Sequence, residues 1–315
     1  MRALVTGVAG FIGSHLTEAL RERGDQVVGI DCLTDYYDMA IKRRNLDEVR
    51  SSGATIIEDD LRSCELGPLL DGIDVVFHQA GQPGVRASWS TGFAAYEQHN
   101  IAVTQRLLEA VRERPVDRFV FASSSSVYGN AVHYPTTEDD LPRPNSPYGV
   151  TKLAAEHLCG LYADNFGVHT VALRYFTVYG PRQRPDMAMH RLVEASLGGP
   201  AFPLFGDGSQ IRDFTYVSDI VTANLRAADR HDIEPGTVAN VAGGDEASLA
   251  EIIALVGELT GDDVPLDRQP AQAGDVRQTG GSTDRLLALL DWQPSTSLRE
   301  GLASQVDWHR SLRSR

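Results

Sequence analysis

The sequence predicts an α/β protein built on a doubly wound parallel sheet, with a smaller C-terminal α/β lobe. Three observations carry that prediction. Short apolar runs alternate with amphipathic segments from the first residues, glycines cluster where the first run gives way to the first helix, and the rhythm breaks after about Tyr175 into loops rich in Pro, Gly and Arg. Strands that read as unbroken apolar stretches are buried on both faces, the condition of a parallel sheet covered by helices. A chain of 315 residues, 42% of them apolar, has enough material for one large unit or two intimately joined domains.

The elements follow in order. Ala3-Leu4-Val5 is the first strand, and Phe11 to Arg23 the first helix, stopped by Gly24. Val27 to Ile30, Thr55 to Ile57, Val75 to Phe77, Phe119 to Phe121 and Thr170 to Leu173 are the next five strands. Between them, Asn100 to Arg112 forms a helix with Val103, Leu107, Leu108 and Val111 on one face. Ser146 or Asn145 can cap a further helix, Pro147 suits its first turn, and Gly167 ends it after Phe166. Its buried stripe is expected to be Ala154, Leu158, Leu161 and Tyr162. Asp213 to Ala228 should return to the large domain as a strand and a helix. The large domain is therefore expected to span 1–176 plus about 212–242, and the lobe about 177–211 and 243–315. No fixed repeat or low-complexity tract interrupts this plan.

Net charge is −14 and no basic run occurs, so nucleic acid and anionic membrane are not expected partners. A few local arginines can still hold a small anion. Cys32, Cys64 and Cys159 are odd in number and widely spaced, giving neither a disulfide framework nor a zinc pattern. No metal is expected. The N-terminus runs straight into the first strand, and no apolar run approaches the roughly 20 residues that span a bilayer. The expected location is the cytoplasm.

Gly7, Gly10 and Gly13 lie at the first strand-to-helix junction. Such a turn needs glycine for its backbone angles, for close approach to a pyrophosphate, and for tight packing of helix on sheet. The helix start at Phe11 and Ile12 then offers N–H groups and a positive dipole end to phosphate. Asp31 ends the second strand 18 residues after Gly13, where a carboxylate binds ribose hydroxyls and repels a 2′-phosphate. A Rossmann-type site for NAD, rather than NADP, is the reading. Asp60 and Leu61 after the third strand could cap the adenine, with Asp60 taking its amine. Gln79, Ala80 and Gly81 after the fourth strand lie at the carboxyl edge where ligands bind. His78 beside them is read as a core histidine.

Hydroxyls at Ser123 to Ser126 project from the end of the fifth strand. Tyr148 and Lys152 stand four residues apart and so point the same way from one helix. The chain has two lysines against 27 arginines, which makes the second of them conspicuous. Tyrosine is a poor base at neutral pH, and a fixed ammonium beside it, with an oxidised nicotinamide, favours the phenolate. Lysine suits that place as a compact cation with three donors.

Together, Gly7-x-x-Gly10-x-x-Gly13, Asp31, the serine run followed by Val-Tyr-Gly, and Tyr148-x-x-x-Lys152 resemble the extended short-chain dehydrogenase/reductases. More narrowly they resemble the NAD-dependent nucleotide-sugar epimerase/dehydratase family, and R-Y-F-T-V-Y-G-P-R (174–182), F-G-D-G-S-Q-I-R-D-F-T-Y-V-S-D (205–219) and G-D-V-R-Q-T (274–279) extend the likeness over the whole chain. The resemblance implies that Tyr148 is the base for a sugar hydroxyl, that Lys152 lowers its pKa and holds the nicotinamide ribose, and that Ser124 bonds the reacting oxygen. It places Ser123 and Tyr175 in the cofactor site, Asn100 near the adenine end, and the Val178 backbone near the nicotinamide. Arg191 and Arg212 join the substrate site, Arg212 on the diphosphate, with Asp275 on the uridine-side ribose. A homodimer through the helices near 100–112 and 148–165 is implied as well.

Related 4,6-dehydratases carry Asp-Glu just after the catalytic Ser/Thr; here Ser125-Ser126 stand there, so dehydration is not expected. Arg184-Pro185-Asp186-Met187, with D-Y-Y-D (35–38) and P-G-V-R-A-S (83–88), is similar to the UDP-glucuronate 4-epimerases of that family. A substrate carboxylate wants a guanidinium and hydroxyl donors, which Arg184, Thr177, Ser125 and Ser126 can supply. Against a neutral sugar, Arg184 would need another partner, and Asp186 or the diphosphate could be that partner. The expected reaction is 4-epimerisation of UDP-glucuronate to UDP-galacturonate, by hydride removal from C4, rotation of the 4-keto sugar and hydride return. UDP-glucose 4-epimerisation, UDP-glucuronate decarboxylation and a non-catalytic NAD sensor are the alternatives.

Overall fold

The structure is a computed structural model and describes residues 1–270 and 276–314. Seven parallel strands form the main sheet: β1 (Arg2–Thr6), β2 (Gln26–Asp31), β3 (Thr55–Glu58), β4 (Val75–His78), β5 (Arg118–Ser124), β6 (Thr170–Tyr175) and, after lobe elements, β10 (Thr237–Val241). Their order is β10-β6-β5-β4-β1-β2-β3. The order reverses between β1 and β4, and a crevice opens at their carboxyl ends. Helices α1 (Phe11–Glu22), α2 (Met39–Ser51), α3 (Leu66–Leu70), α4 (Phe93–Tyr96), α5 (Val103–Glu113) and α6 (Pro147–Phe166) connect the strands. The six predicted strands all form, each within a few residues of its expected bounds, because their apolar runs pack into two separate cores, with β3 at the edge only partly buried.

The lobe carries β7 (Thr177–Tyr179), α7 (Ala188–Ser196), β8 (Phe202–Phe205), β9 (Ile211–Tyr216), β11 (Asp245–Ser248), α9 (Leu249–Thr260), β12 (Leu266–Gln269) and α11 (Leu298–Arg313), whereas α10 (Asp284–Leu290), expected in the lobe, packs on β10 with Leu286 and Leu290 in the core of the main sheet. Between β9 and β10, α8 (Val217–Asp229) packs on α1. The expected return of 213–228 to the large domain is half right. Its helix does return, but its strand β9 pairs with β7 and β11 in a separate sheet. Asp213 explains the placement: its buried carboxylate accepts the backbone N–H groups of Gly243, Gly244 and Gly281, binding β9 to lobe turns.

Two helices differ from expectation. The helix expected over 100–112 begins earlier, and Glu97–Ala102 is a π-helical stretch between α4 and α5. In α6, Ser146 caps and Gly167 ends the helix as predicted, but the buried stripe is Thr151, Lys152, Ala155, Glu156, Cys159 and Tyr162, while Leu161 is exposed. Large apolar side chains misled the periodicity, because the inward face carries charge. Glu156 there forms a bidentate pair with Arg174 at 2.6 and 3.0 Å, both nearly fully buried. The Ser123 hydroxyl also donates to Glu156, at 2.7 Å. Removing one partner of a buried pair leaves an uncompensated charge, so Glu156→Gln should cost about 3–5 kcal/mol. Urea denaturation measures the loss directly.

Candidate active site

The turn after β1 is built by contact with the end of β4. Gly7 has φ of +71°, and a Cβ there would stand 2.8 Å from the Ala80 nitrogen. A Cβ on Gly13 would run into the Gly7 carbonyl. Gly13→Ala should therefore displace the turn, lowering stability by about 1–3 kcal/mol and weakening NAD binding, as calorimetry would show. Helix α1 starts at Gly10 with no side-chain cap, so its first N–H groups face the cleft without a side-chain acceptor. Asp31 stands at the tip of β2, its carboxylate accepting from Ala9 N at 3.0 Å and Leu33 N at 2.8 Å. Open N–H donors, a glycine cradle and a carboxylate opposite them fit a dinucleotide such as NAD.

The same cleft is lined by Phe11, Ile12, Leu61, Gln79, Ala80, Gly81, Ser123, Tyr148, Lys152 and Tyr175, so most of the predicted cofactor residues converge there. Gln79 and Tyr175 are bonded to Asn224, which fixes the floor. Two placements differ. Asp60 is occupied by Arg62, and the neighbouring Asp59 lines the cleft instead. The Ser123 hydroxyl is committed to Glu156. Asn100 lies beside Gly81 and Lys152, its amide bonded to Gln82 and Thr151. His78 is the expected core residue, held by Thr6 and Thr104, with burial lowering its pKa to about 3.

Sequence reasoning missed Lys42, the other lysine. Buried on α2, it donates to the carbonyl and hydroxyl of Thr34 at 2.7 and 2.9 Å and lies over the Tyr37 ring. It lines the cleft with Tyr36, Tyr37 and His99, beside Asp31. The scarcity of lysine was the signal that could have found it.

A second cleft adjoins the first, and Phe11, Ile12, Pro83, Ser123, Tyr148, Tyr175 and Arg184 line both. Tyr148 thus stands at the junction. Ser124 lies beside it in the second cleft. Burial raises the pKa of Tyr148, while Ser124 and the Arg184 charge pull it down. Lys152 donates to the Ala122 carbonyl at 2.8 Å, and burial brings its pKa down to about 8. Arg184, which lines both clefts, is thus a cation acting on Tyr148 that the expectation of Lys152 with an oxidised nicotinamide did not include.

The second cleft holds Ser124, Ser125, Ser126, Thr177, Val178 and Arg212 of the predicted set, together with Arg86. Among its described lining residues there is no carboxylate, while three guanidinium groups face it in a chain of net charge −14. Arg184 is paired with Asp186, Nε and Nη2 each 3.0 Å from a carboxylate oxygen. Asp186 also accepts from Tyr36 at 3.4 Å. Arg191 does not reach the cleft; it is exposed on α7, over the Phe202 ring. Asp275 lies outside the described residues.

A β-sheet crevice with a glycine turn, joined to an arginine-lined cleft by a Tyr–Ser pair, defines a nucleotide-cofactor enzyme of the short-chain dehydrogenase type. The model of the NAD dependent epimerase/dehydratase family matches residues 3–242, and the chain belongs to that family. It is similar to a Bacillus subtilis protein named as an uncharacterized UDP-glucose epimerase, at 43% identity over 99% of both chains. It is also similar to the UDP-glucuronate 4-epimerase of Thermodesulfobacterium geofontis, at 35% identity over 98% of this chain and 95% of that one. Among solved structures, the UDP-glucuronic acid 4-epimerase of Bacillus cereus in complex with UDP-glucuronic acid and NAD superposes with a TM-score of 0.95, at 42% identity over 99% of this chain and 100% of that one.

Proposed function

We propose that this chain is an NAD-dependent UDP-glucuronate 4-epimerase, interconverting UDP-glucuronate and UDP-galacturonate. The carrying observation is the position of Tyr148, at the junction of the NAD cleft and an arginine-lined cleft whose described lining residues include no carboxylate. Those arginines suit a ligand with several negative charges, a diphosphate and a carboxylate. The full-length similarity to the Bacillus cereus enzyme supports the same sugar. Ser125-Ser126 after Ser124, in place of an acidic pair, argue against dehydration.

Bound NAD supplies the acceptor and donor for hydrogen at C4. Tyr148 takes the proton of the 4-hydroxyl and returns it after the sugar has turned. Ser124 holds the reacting oxygen, and Lys152 keeps a positive charge at the cofactor side of the junction. Arg212 faces the diphosphate. Asp186 uses Nε and Nη2 of Arg184, so Nη1 is the nitrogen assigned to the substrate carboxylate, with Ser125, Ser126 and Thr177 as hydroxyl donors. That grip holds the carboxyl group out of line with the C4 ketone and restrains loss of carbon dioxide.

The Arg184–Asp186 pair also favours one rival. A guanidinium already partnered does not require an anionic sugar, so UDP-glucose is the second reading. NMR of products from each nucleotide sugar, supplied separately, tests both. UDP-galacturonate from UDP-glucuronate is the expected result; turnover of UDP-glucose alone would overturn the assignment, and UDP-xylose as sole product would make the enzyme a decarboxylase.

The homodimer belongs to the same proposal. Val150, Leu161 and Phe166 of α6 are about half exposed, as a helix-to-helix contact between copies would need. Light scattering should give twice the 34.3 kDa chain mass. Among the described residues, no helix is long and apolar enough to cross a membrane. Three free cysteines suit the reducing cytoplasm, where we place the reaction.

A further inference from the structure

The segment leading to Arg184 is held by an arginine that lines neither cleft. Arg182 has φ of +63°, in the left-handed region that residues with a Cβ rarely adopt. Such a conformation costs free energy and persists where the surroundings over-determine it, most often at active sites and ligand clamps. Here the surroundings are two helices of the large domain. Nη1 and Nη2 of Arg182 fork onto the Glu18 carboxylate of α1, both at 2.9 Å, and Nη2 also lies 2.5 Å from Glu48 of α2. On the reading of Arg184 as a substrate-binding residue, we propose that Arg182 is its positioning residue, tying segment 180–184 to the cofactor helix α1 and so aiming the Arg184 guanidinium at the sugar.

The residues on either side repeat the tie. The Pro181 carbonyl can only accept, so Nε2 of His15 on α1 donates to it, at 2.9 Å. Burial, and then the Arg182 charge, lower the His15 pKa to about 4, which keeps that ring neutral. His15 stands one turn after Phe11, which lines both clefts, and their rings meet edge to face. Gln183 is fixed from the lobe. Its Nε2 donates to the Val178 carbonyl at 2.9 Å, and its side-chain oxygen accepts from Gln305 of α11 at 3.0 Å.

Only 12% of the Arg182 side chain is exposed, so its bidentate pair is a fixed joint and not a mobile surface contact. Glu18 and Glu48 line neither cleft, and loss of the joint would therefore reach the sugar through geometry alone. Loosening the backbone at Arg182 displaces Arg184 two residues on, together with its pair to Asp186. Because α1 begins at the glycine cradle, the helix that receives the cofactor is also the reference for the sugar-side arginine.

A double-variant cycle on the full-length, NAD-loaded enzyme provides the test. Wild type is assayed first with UDP-glucuronate and UDP-glucose, and the cycle is run on the sugar that is turned over. A wrong substrate reading shows in wild type, whereas a wrong positioning role shows only in the cycle. Arg182→Lys keeps the charge and loses the fork, and kcat/KM should fall by up to about 100-fold, the cost of misplacing a positioned group by roughly 1 Å. Added to Arg184→Ala, the same change should cost no more than about twofold further. Glu18→Gln, a milder change at the same joint, reproduces the pattern if the arginine variant fails to fold. A lowered Tm with kcat/KM unchanged would make Arg182 a structural staple, and equal losses with and without Arg184 would remove Arg184 from its action; either result overturns the proposal.

Discussion

Tyr148→Phe will lower kcat for UDP-glucuronate epimerisation by about 10²–10⁴-fold, the usual yield of a positioned acid–base group. KM and the affinity for NAD should change little, because the ring fills the same space and only the hydroxyl is lost. The Ser124 hydroxyl beside it is a flexible neighbour that can turn to water. The variant should therefore keep its Tm within a degree or two of wild type. Full activity in Tyr148→Phe would remove the base from the reaction and revive the NAD-sensor reading. The pH profile should carry the same information. Burial pushes the Tyr148 pKa up, and Arg184 and Ser124 oppose that shift. Above its pKa of about 8, Lys152 loses the charge proposed to hold the cofactor side. Activity of the wild type should fall on the alkaline side as that ammonium is lost, measured as kcat/KM against pH.

Arg184→Ala should have the second largest effect, and a selective one. A hydrogen bond to a charged group contributes about 1.5–3 kcal/mol, so kcat/KM for UDP-glucuronate should drop roughly 10–150-fold. UDP-glucose, lacking the carboxylate, should be affected much less. If the grip restrains decarboxylation, UDP-xylose should appear among the products of the variant. Equal losses on both sugars would show that Arg184 acts through Tyr148 or the diphosphate instead. Asp186→Asn separates the two roles, since it weakens the internal pair while leaving the guanidinium in place.

The large domain was legible because its strands advertise themselves. A strand buried on both faces must be apolar at successive positions, and β1, β4, β5 and β6 are written that way. The glycine turn was legible for a steric reason, since Gly7 and Gly13 sit where a side chain would collide with backbone. The lobe was harder. Its strands β7, β8, β11 and β12 have three or four residues each, too short for a periodic signal, and their partners are distant in sequence. β9 was assigned to the wrong sheet because Asp213 is buried for backbone hydrogen bonds that only the folded chain reveals.

Within the site, reading residues in order found the Tyr–Lys pair and the serines but not what surrounds them. Lys152 was noticed because a tyrosine precedes it by one turn, whereas Lys42 has no such neighbour and its approach to Asp31 depends on how α2 packs. Arg184 lines the cleft, yet its fork is taken by Asp186 two residues away, a contact the sequence offered only as one option among several. Arg191, seven residues further on, faces away because α7 turns it outward.

The central claim is that the sugar is oxidised and reduced at C4 within one active site. UDP-glucuronate deuterated at C4, incubated with the enzyme in ordinary water and analysed by NMR, tests it most directly. Deuterium retained at C4 of the UDP-galacturonate formed is the predicted result. Product carrying solvent hydrogen at C4, or label lost from the remaining substrate, would contradict it.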